Sequence, residues 1–170
     1  SRAYIRDAEQ YAGGALDLTN IKEIMKRLGN PQDQLKYVHV AGTNGKGSVI
    51  AYLYTTLTNA GYHVGRYISP SVYSYREKIE VEGTPISREQ FAKHTTRVAA
   101  VIEEMTAEGL AHPTPFEIET AVAFLFFAEE KCDPVILEVG MGGITDATNL
   151  IRTTELAVLV PISMDHQSFL

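Results

Sequence analysis

Residues 37–57, YVHVAGTNGKGSVIAYLYTTL, restrict the fold more than any other stretch: a short apolar run meets a glycine-rich turn and then a helical pattern. Strand, glycines, lysine, hydroxyl and helix, in that order, are the parts of a phosphate loop. The spelling departs twice from the common Gly-x-x-x-x-Gly-Lys-Ser/Thr form, because Val40 stands where the first glycine would and Gly47 directly follows Lys46. The stretch therefore reads either as a phosphate site or as a glycine turn with a solvated lysine. On the first reading, Gly42 and Gly45 let the backbone turn so that the amides of Thr43, Asn44, Gly45, Lys46, Gly47 and Ser48 converge, and the helix adds its positive end. Lys46 brings a movable charge, and the Ser48 hydroxyl can meet a phosphate oxygen or Mg2+.

The rest of the chain alternates in the same way. Helical spacing covers residues 3–11 and 20–28, the second with Thr19 as N-cap and a stop at Gly29-Asn30-Pro31. The phosphate-loop helix closes at Gly61, and HVGRYIS is a second strand. Residues 69–75 read as a loop and 78–81 as a small strand; Ser87 and Gln90 form a capping box for a long helix reaching about Glu108. FEIETAVAFLFFAEEK is a buried helix, and PVILEVG and ELAVLVPIS are further strands. Short, almost wholly apolar strands separated by helices predict an α/β fold, a mostly parallel sheet flanked by helices on both faces. With 45% hydrophobic content, residues 1–170 can build one domain with a core or most of a larger one, and two complete domains would be crowded.

Composition narrows the partners. A net charge of -6, with 15 scattered Lys and Arg, argues against a nucleic-acid surface. No apolar run spans a membrane, the longest stopping at Glu129. The single cysteine, Cys132, forms no internal disulfide and reads as structural, and the first residues lack a signal-peptide core, so the expected location is cytoplasmic.

Ligands of parallel sheets bind beyond the carboxyl ends of the strands. Each such end here runs into a polar loop. Glu138 closes PVILEVG and is either a hard oxygen ligand for Mg2+ or a carboxylate turned to solvent. Ser69 follows GRYI as a ligand or a cap, and in Asp165-His166, which follows the last strand, His166 is either a ligand or a hydrogen-bonded structural residue. His39 is expected to be packed, and His63, His94 and His112 to lie on the surface or in loops. Most charges of YREKIEVEG are expected on a solvated hairpin. Read alone, Phe116 is a core aromatic at the start of a buried helix and Asp146 a turn residue.

GNPQDQLKYVHVAGTNGKGSVIAYL, SPSVYSYREKIEVEGTPIS, TPFEIETAVAFLFF, LEVGMGGITDATN and MDHQ, in this order, resemble the folylpolyglutamate synthase / dihydrofolate synthase family of the Mur ligase superfamily, whose central domain is of this type. The resemblance runs from Gly29 to Gln167. It implies a ligase using ATP and Mg2+ to phosphorylate a carboxylate of dihydropteroate or a reduced folate, which L-glutamate then attacks. It implies Lys46, Glu138 and His166 as catalytic residues, Ser69, Glu138 and His166 as metal ligands, and Thr114, Phe116, Asp146 and Ala147 as the pterin pocket. A monomer is expected, with only small molecules as partners. Ile144 stands where the family usually has arginine, and the segment GGALDLTNI is shorter than the family's. The 170 residues correspond to the N-terminal, ATP-binding part, incomplete at its end and without a glutamate-binding domain, and are expected to be inactive alone. Another Mur-type amino-acid ligase and a non-catalytic nucleotide- or pterin-binding module are the alternative readings.

Overall fold

A computed structural model of the chain describes residues 2–11 and 17–164. Its strands are β1 (Tyr37–Ala41), β2 (Gly65–Tyr67), β3 (Ile79–Val81), β4 (Thr84–Pro85), β5 (Val135–Glu138) and β6 (Thr154–Leu159). The helices are α1 (Arg2–Asp7), α2 (Thr19–Arg27), α3 (Lys46–Asn59), α4 (Arg88–Ala107) and α5 (Pro115–Glu130). Short 3-10 turns occupy Ala8–Tyr11, Pro31–Gln34, Tyr75–Lys78 and Ala147–Leu150. The sheet order is β4-β3-β2-β5-β1-β6. β5 lies between β1 and β2 and runs parallel to both, and β6 runs parallel to β1 on the other side. β3 and β4 add an antiparallel edge, of which the sequence suggested only the first strand.

Side chains alternate across a strand, so each parallel strand feeds two cores. Tyr37, Val135 and Leu137 point into the larger core with Met25, Ile102 and Phe124 of α2, α4 and α5. Val38, Val40 and Ile136 point the other way, against Ile50 and Tyr54 of α3. The same alternation directs Glu138 to the α3 face and His39 to the α5 face. Helix α5 is buried continuously from Glu117 to Phe127, and its start is fixed by Thr114 and Glu117, which cap each other's backbone N–H groups.

Several local expectations are corrected. The second helix begins at Thr19 rather than being capped by it, because the Asp17 carboxylate takes the Thr19 N–H at 2.7 Å. The first helix tightens into a 3-10 turn at Ala8. Ser87 caps α4 through the Gln90 N–H, but the Gln90 side chain reaches Glu130 at 2.8 Å, so the reciprocal half of the box is missing. The YREKIEVEG charges are not a solvated face. Lys78 pairs with buried Glu119 at 2.8 Å, and Arg66 pairs with buried Glu80 at 2.5 Å. Strand β6 is a largely exposed edge with Leu156 and Leu159 uncovered, although its residues read as an interior strand.

His94, expected on the surface, is fully buried between α4 and α5 beside Phe126. Its two ring nitrogens find no hydrogen-bond partner among the described residues, the Glu129 carboxylate standing 3.7 Å from Nε2. Burial lowers its pKa; Glu129 opposes this, while Lys93 and Arg97 reinforce it. The fold thus favours the neutral ring. Stability is fully present above the unfolded value of about 6.5 and is lost as the pH falls below it. His94→Leu should therefore shrink the loss of unfolding free energy between about pH 7.5 and pH 5.5, measured by urea denaturation; His39, also depressed by burial, keeps part of the slope. An unchanged slope would show that His94 titrates normally.

Candidate functional site

The carboxyl ends of β1, β2 and β5 meet at one point. Register pairs Val40 with Glu138, and the loop leaving β2 brings the Ser69 N–H to Glu138 Oε2 at 3.1 Å. From the other side Lys46, first residue of α3, brings Nζ to 3.8 Å from Glu138 Oε1. Glu138 is buried, and burial raises its pKa despite the Ser69 N–H and the Lys46 charge. Its carboxylate therefore has less positive charge around it than it requires, which fits a hard divalent cation. Among the described residues no group of three or more His, Cys, Asp or Glu is arranged around a metal position. His166 lies outside the described residues.

The glycine turn stands beside this junction. Lys46 folds back to donate to Gly42 O at 2.9 Å, and Gly45, in the left-handed region at φ 95°, caps α3. Of the six amides the sequence nominated, those of Thr43 and Asn44 donate to Pro161 O at 3.1 and 3.4 Å. The first N–H of α3 with a backbone acceptor is that of Val49, bonded to Gly45 O at 3.0 Å. The amides of Gly45, Lys46, Gly47 and Ser48 are thus left at the helix mouth without backbone acceptors among the described residues. The Thr43 hydroxyl clasps Ser163, accepting its N–H and donating to its carbonyl, both at 3.1 Å. A cleft of about 170 Å³ opens here between Gly42, Thr43 and Lys46 on one side and Gly140, Met141 and Ser163 on the other.

The nominated pterin residues form a second group on the α5 face. Thr114 caps α5, and its hydroxyl is engaged with Glu117 at 2.9 Å. Phe116 is half-buried and lies nearly parallel to Tyr67 with centroids 6.1 Å apart. Asp146 is buried and caps the turn that begins at Ala147: Oδ1 accepts from the Thr148 N–H at 3.0 Å and Oδ2 from the Met141 N–H at 2.9 Å. Ile144 is 85% exposed. Sequence reasoning passed over Gly140 and His39. A Cβ at Gly140 would come within 2.7 Å of Phe116 Cζ and 3.0 Å of Asp146 Oδ2, so this glycine lets aromatic and carboxylate close together. His39 is half-buried, with Nε2 2.8 Å from Thr148 Oγ1. Its signal was its place on the α5 face of β1, visible only once the strand register was known.

A mostly parallel sheet, with a glycine loop at the mouth of α3 and a buried carboxylate at the neighbouring strand end, defines an α/β domain of the Mur ligase type. No family model matches the sequence. The dihydrofolate synthase/folylpolyglutamate synthase of Bacillus subtilis is 40% identical over 172 residues, covering 97% of this chain and 40% of its own length. A Mycobacterium tuberculosis folylpolyglutamate synthase complexed with ADP superposes with a TM-score of 0.87 at 35% identity, covering 97% of this chain and 37% of the other. A solved FPGS–AMPPCP–folate complex superposes with a TM-score of 0.85 at 33% identity, covering 96% and 42%. By sequence and by structure the chain is homologous to folylpolyglutamate/dihydrofolate synthases. Those homologues are ATP-dependent ligases, and the chain spans about two-fifths of the length of those it matches.

Gly42 tests how far the loop depends on its backbone. At φ 133°, a Cβ there would stand 2.5 Å from Val160 Cγ2 and 2.6 Å from Val160 O. Gly42→Ala should destabilise the chain by about 2 kcal/mol or more. Thermal unfolding checks this, and an unchanged melting temperature would contradict the packing.

Proposed function

We propose that this chain is the nucleotide- and pterin-binding part of a ligase that joins L-glutamate to dihydropteroate or a reduced folate through an acyl phosphate. The observation that carries the reading is the meeting of Lys46, Ser69 and Glu138 at the end of the phosphate cleft. The free amides from Gly45 to Ser48 suit phosphate oxygens, and the helix behind them favours negative charge. Lys46, lightly held by two loop carbonyls, is free to turn toward a transferring phosphoryl group. Glu138 and Ser69 would hold Mg2+, together with His166 on the strength of the family resemblance. When bound, Mg2+ would offset charge on the phosphate oxygens. Phe116 and Asp146 would receive the pterin, one by stacking and one by accepting its N–H donors.

The reading makes the chain a cytoplasmic monomer with small-molecule partners. Its negative net charge supports the absence of a nucleic-acid partner, and no described helix is long and apolar enough to cross a membrane. We further propose that these 170 residues bind ligands without completing the reaction.

Magnesium with a non-hydrolysable ATP analogue, and separately dihydropteroate, should each raise the melting temperature of the 170-residue chain. Lys46→Ala should remove the nucleotide shift and leave the dihydropteroate shift. With ATP, Mg2+, dihydropteroate and glutamate together, no appreciable ADP should form. Failure of both ligands to raise the melting temperature would sink the binding reading, and rapid ADP and dihydrofolate formation would overturn the incapacity of the fragment.

A further inference from the structure

Asp146 has too many internal partners to receive a pterin edge without giving one of them up, a conflict that rests on the proposed pterin site. Its Oδ1 accepts twice from Thr148, from the backbone N–H at 3.0 Å and from the hydroxyl at 2.5 Å, while Oδ2 accepts the Met141 N–H at 2.9 Å. A carboxylate oxygen offers about two good acceptor directions, so Oδ1 is full and Oδ2 has one left. The pterin edge presents two parallel N–H donors and needs an open direction on each oxygen, as a guanidinium does. One internal bond must therefore yield. The Thr148 and Met141 amides belong to the backbone of the 3-10 turn and of the glycine loop before it, whereas the Thr148 hydroxyl rotates about a single bond.

A second acceptor for that hydroxyl is already in place. His39 Nε2 lies 2.8 Å from Thr148 Oγ1. Burial lowers the His39 pKa, against the opposing pull of Asp146, and so favours the neutral ring. A neutral imidazole carries its one proton on either nitrogen, so Nε2 can donate or accept.

We propose that His39 is a positioning residue for pterin recognition, giving the Thr148 hydroxyl an alternative acceptor so that Asp146 Oδ1 opens to the ligand's second N–H. In the free chain the His39 Nε2–H donates to Thr148, which donates to Asp146. In the bound chain the ring proton sits on Nδ1, Thr148 donates to Nε2, and Asp146 stays ionised with one direction open on each oxygen. The network gains and loses no proton. The hydroxyl changes partner without being left unsatisfied in a buried place, which keeps the exchange cheap.

Dihydropteroate and MgADP titrations by calorimetry on the 170-residue chain test this. His39→Leu should weaken dihydropteroate about tenfold or more, the effect of one hydrogen bond to a charged group, while MgADP affinity holds. His39→Gln, whose terminal amide reaches as far as Nε2 and both donates and accepts, should stay within about twofold of the parent. His39→Asn is polar but too short to reach Thr148; it should behave like the leucine variant and carries the test if that variant does not fold. In a Thr148→Val background Oδ1 is open without help, so His39→Leu and His39→Asn should cause no further loss. A loss of equal size in both backgrounds, or no loss in either, overturns the exchange. If the unaltered chain binds no dihydropteroate, the proposed function falls and the exchange with it; binding that is indifferent to His39 removes only the exchange.

Discussion

A carboxylate removed from water at the end of a central strand organises this end of the molecule. Glu138 belongs to β5, which is paired on both sides, and the strand cannot turn it outward without breaking the register with Val40. Its burial is opposed by one backbone N–H and one lysine, drawn from the two neighbouring strand-to-loop junctions. That need for positive partners ties together the loop after β2, the phosphate loop and the end of β5, three segments far apart in sequence. A buried ionised group with so few partners is costly to keep. Such a group is also one whose charge interacts strongly with whatever enters beside it.

Much of this could be read from the residues alone. The four parallel strands were legible because each is a short apolar run bounded by glycine, proline or polar residues, and the glycine turn into α3 because its parts come in chain order. What the sequence hid depends on pairings between distant segments. Lys78 and Glu80 look solvated until Glu119 and Arg66 are known to face them, and His94 looks like a surface histidine until α5 is laid across it. Strand β6 reads as interior because ELAVLVPIS is largely apolar, yet it pairs with β1 alone and most of its residues are exposed. The site obeyed the same rule: Lys46 and Glu138 were legible as types at strand ends, whereas the commitments of Asp146 and the reach of His39 required the register.

Two faces of one sheet carry two different sets of polar groups. The α3 face carries the charged end of β5 and the helix mouth; the α5 face carries Phe116, Asp146 and His39. β1 contributes to both within five residues, packing Val40 under α3, aiming His39 toward the turn at Ala147–Leu150 and leading directly into Gly42. The Met141 amide that holds Asp146 belongs to the loop that also walls the phosphate cleft. Nucleotide and pterin sites proposed for these faces would share backbone, with no flexible linker between them.

The clasp between the phosphate loop and the segment after β6 makes these two pieces one mechanical body. Val160 fills the space a side chain at Gly42 would need, Pro161 O takes two amides of the turn, and the Thr43 hydroxyl holds both the N–H and the carbonyl of Ser163. The outermost strand of the sheet, with its apolar residues facing outward, thus sets the curvature of the loop. A displacement of residues 160–163 would therefore carry the turn and the mouth of α3 with it.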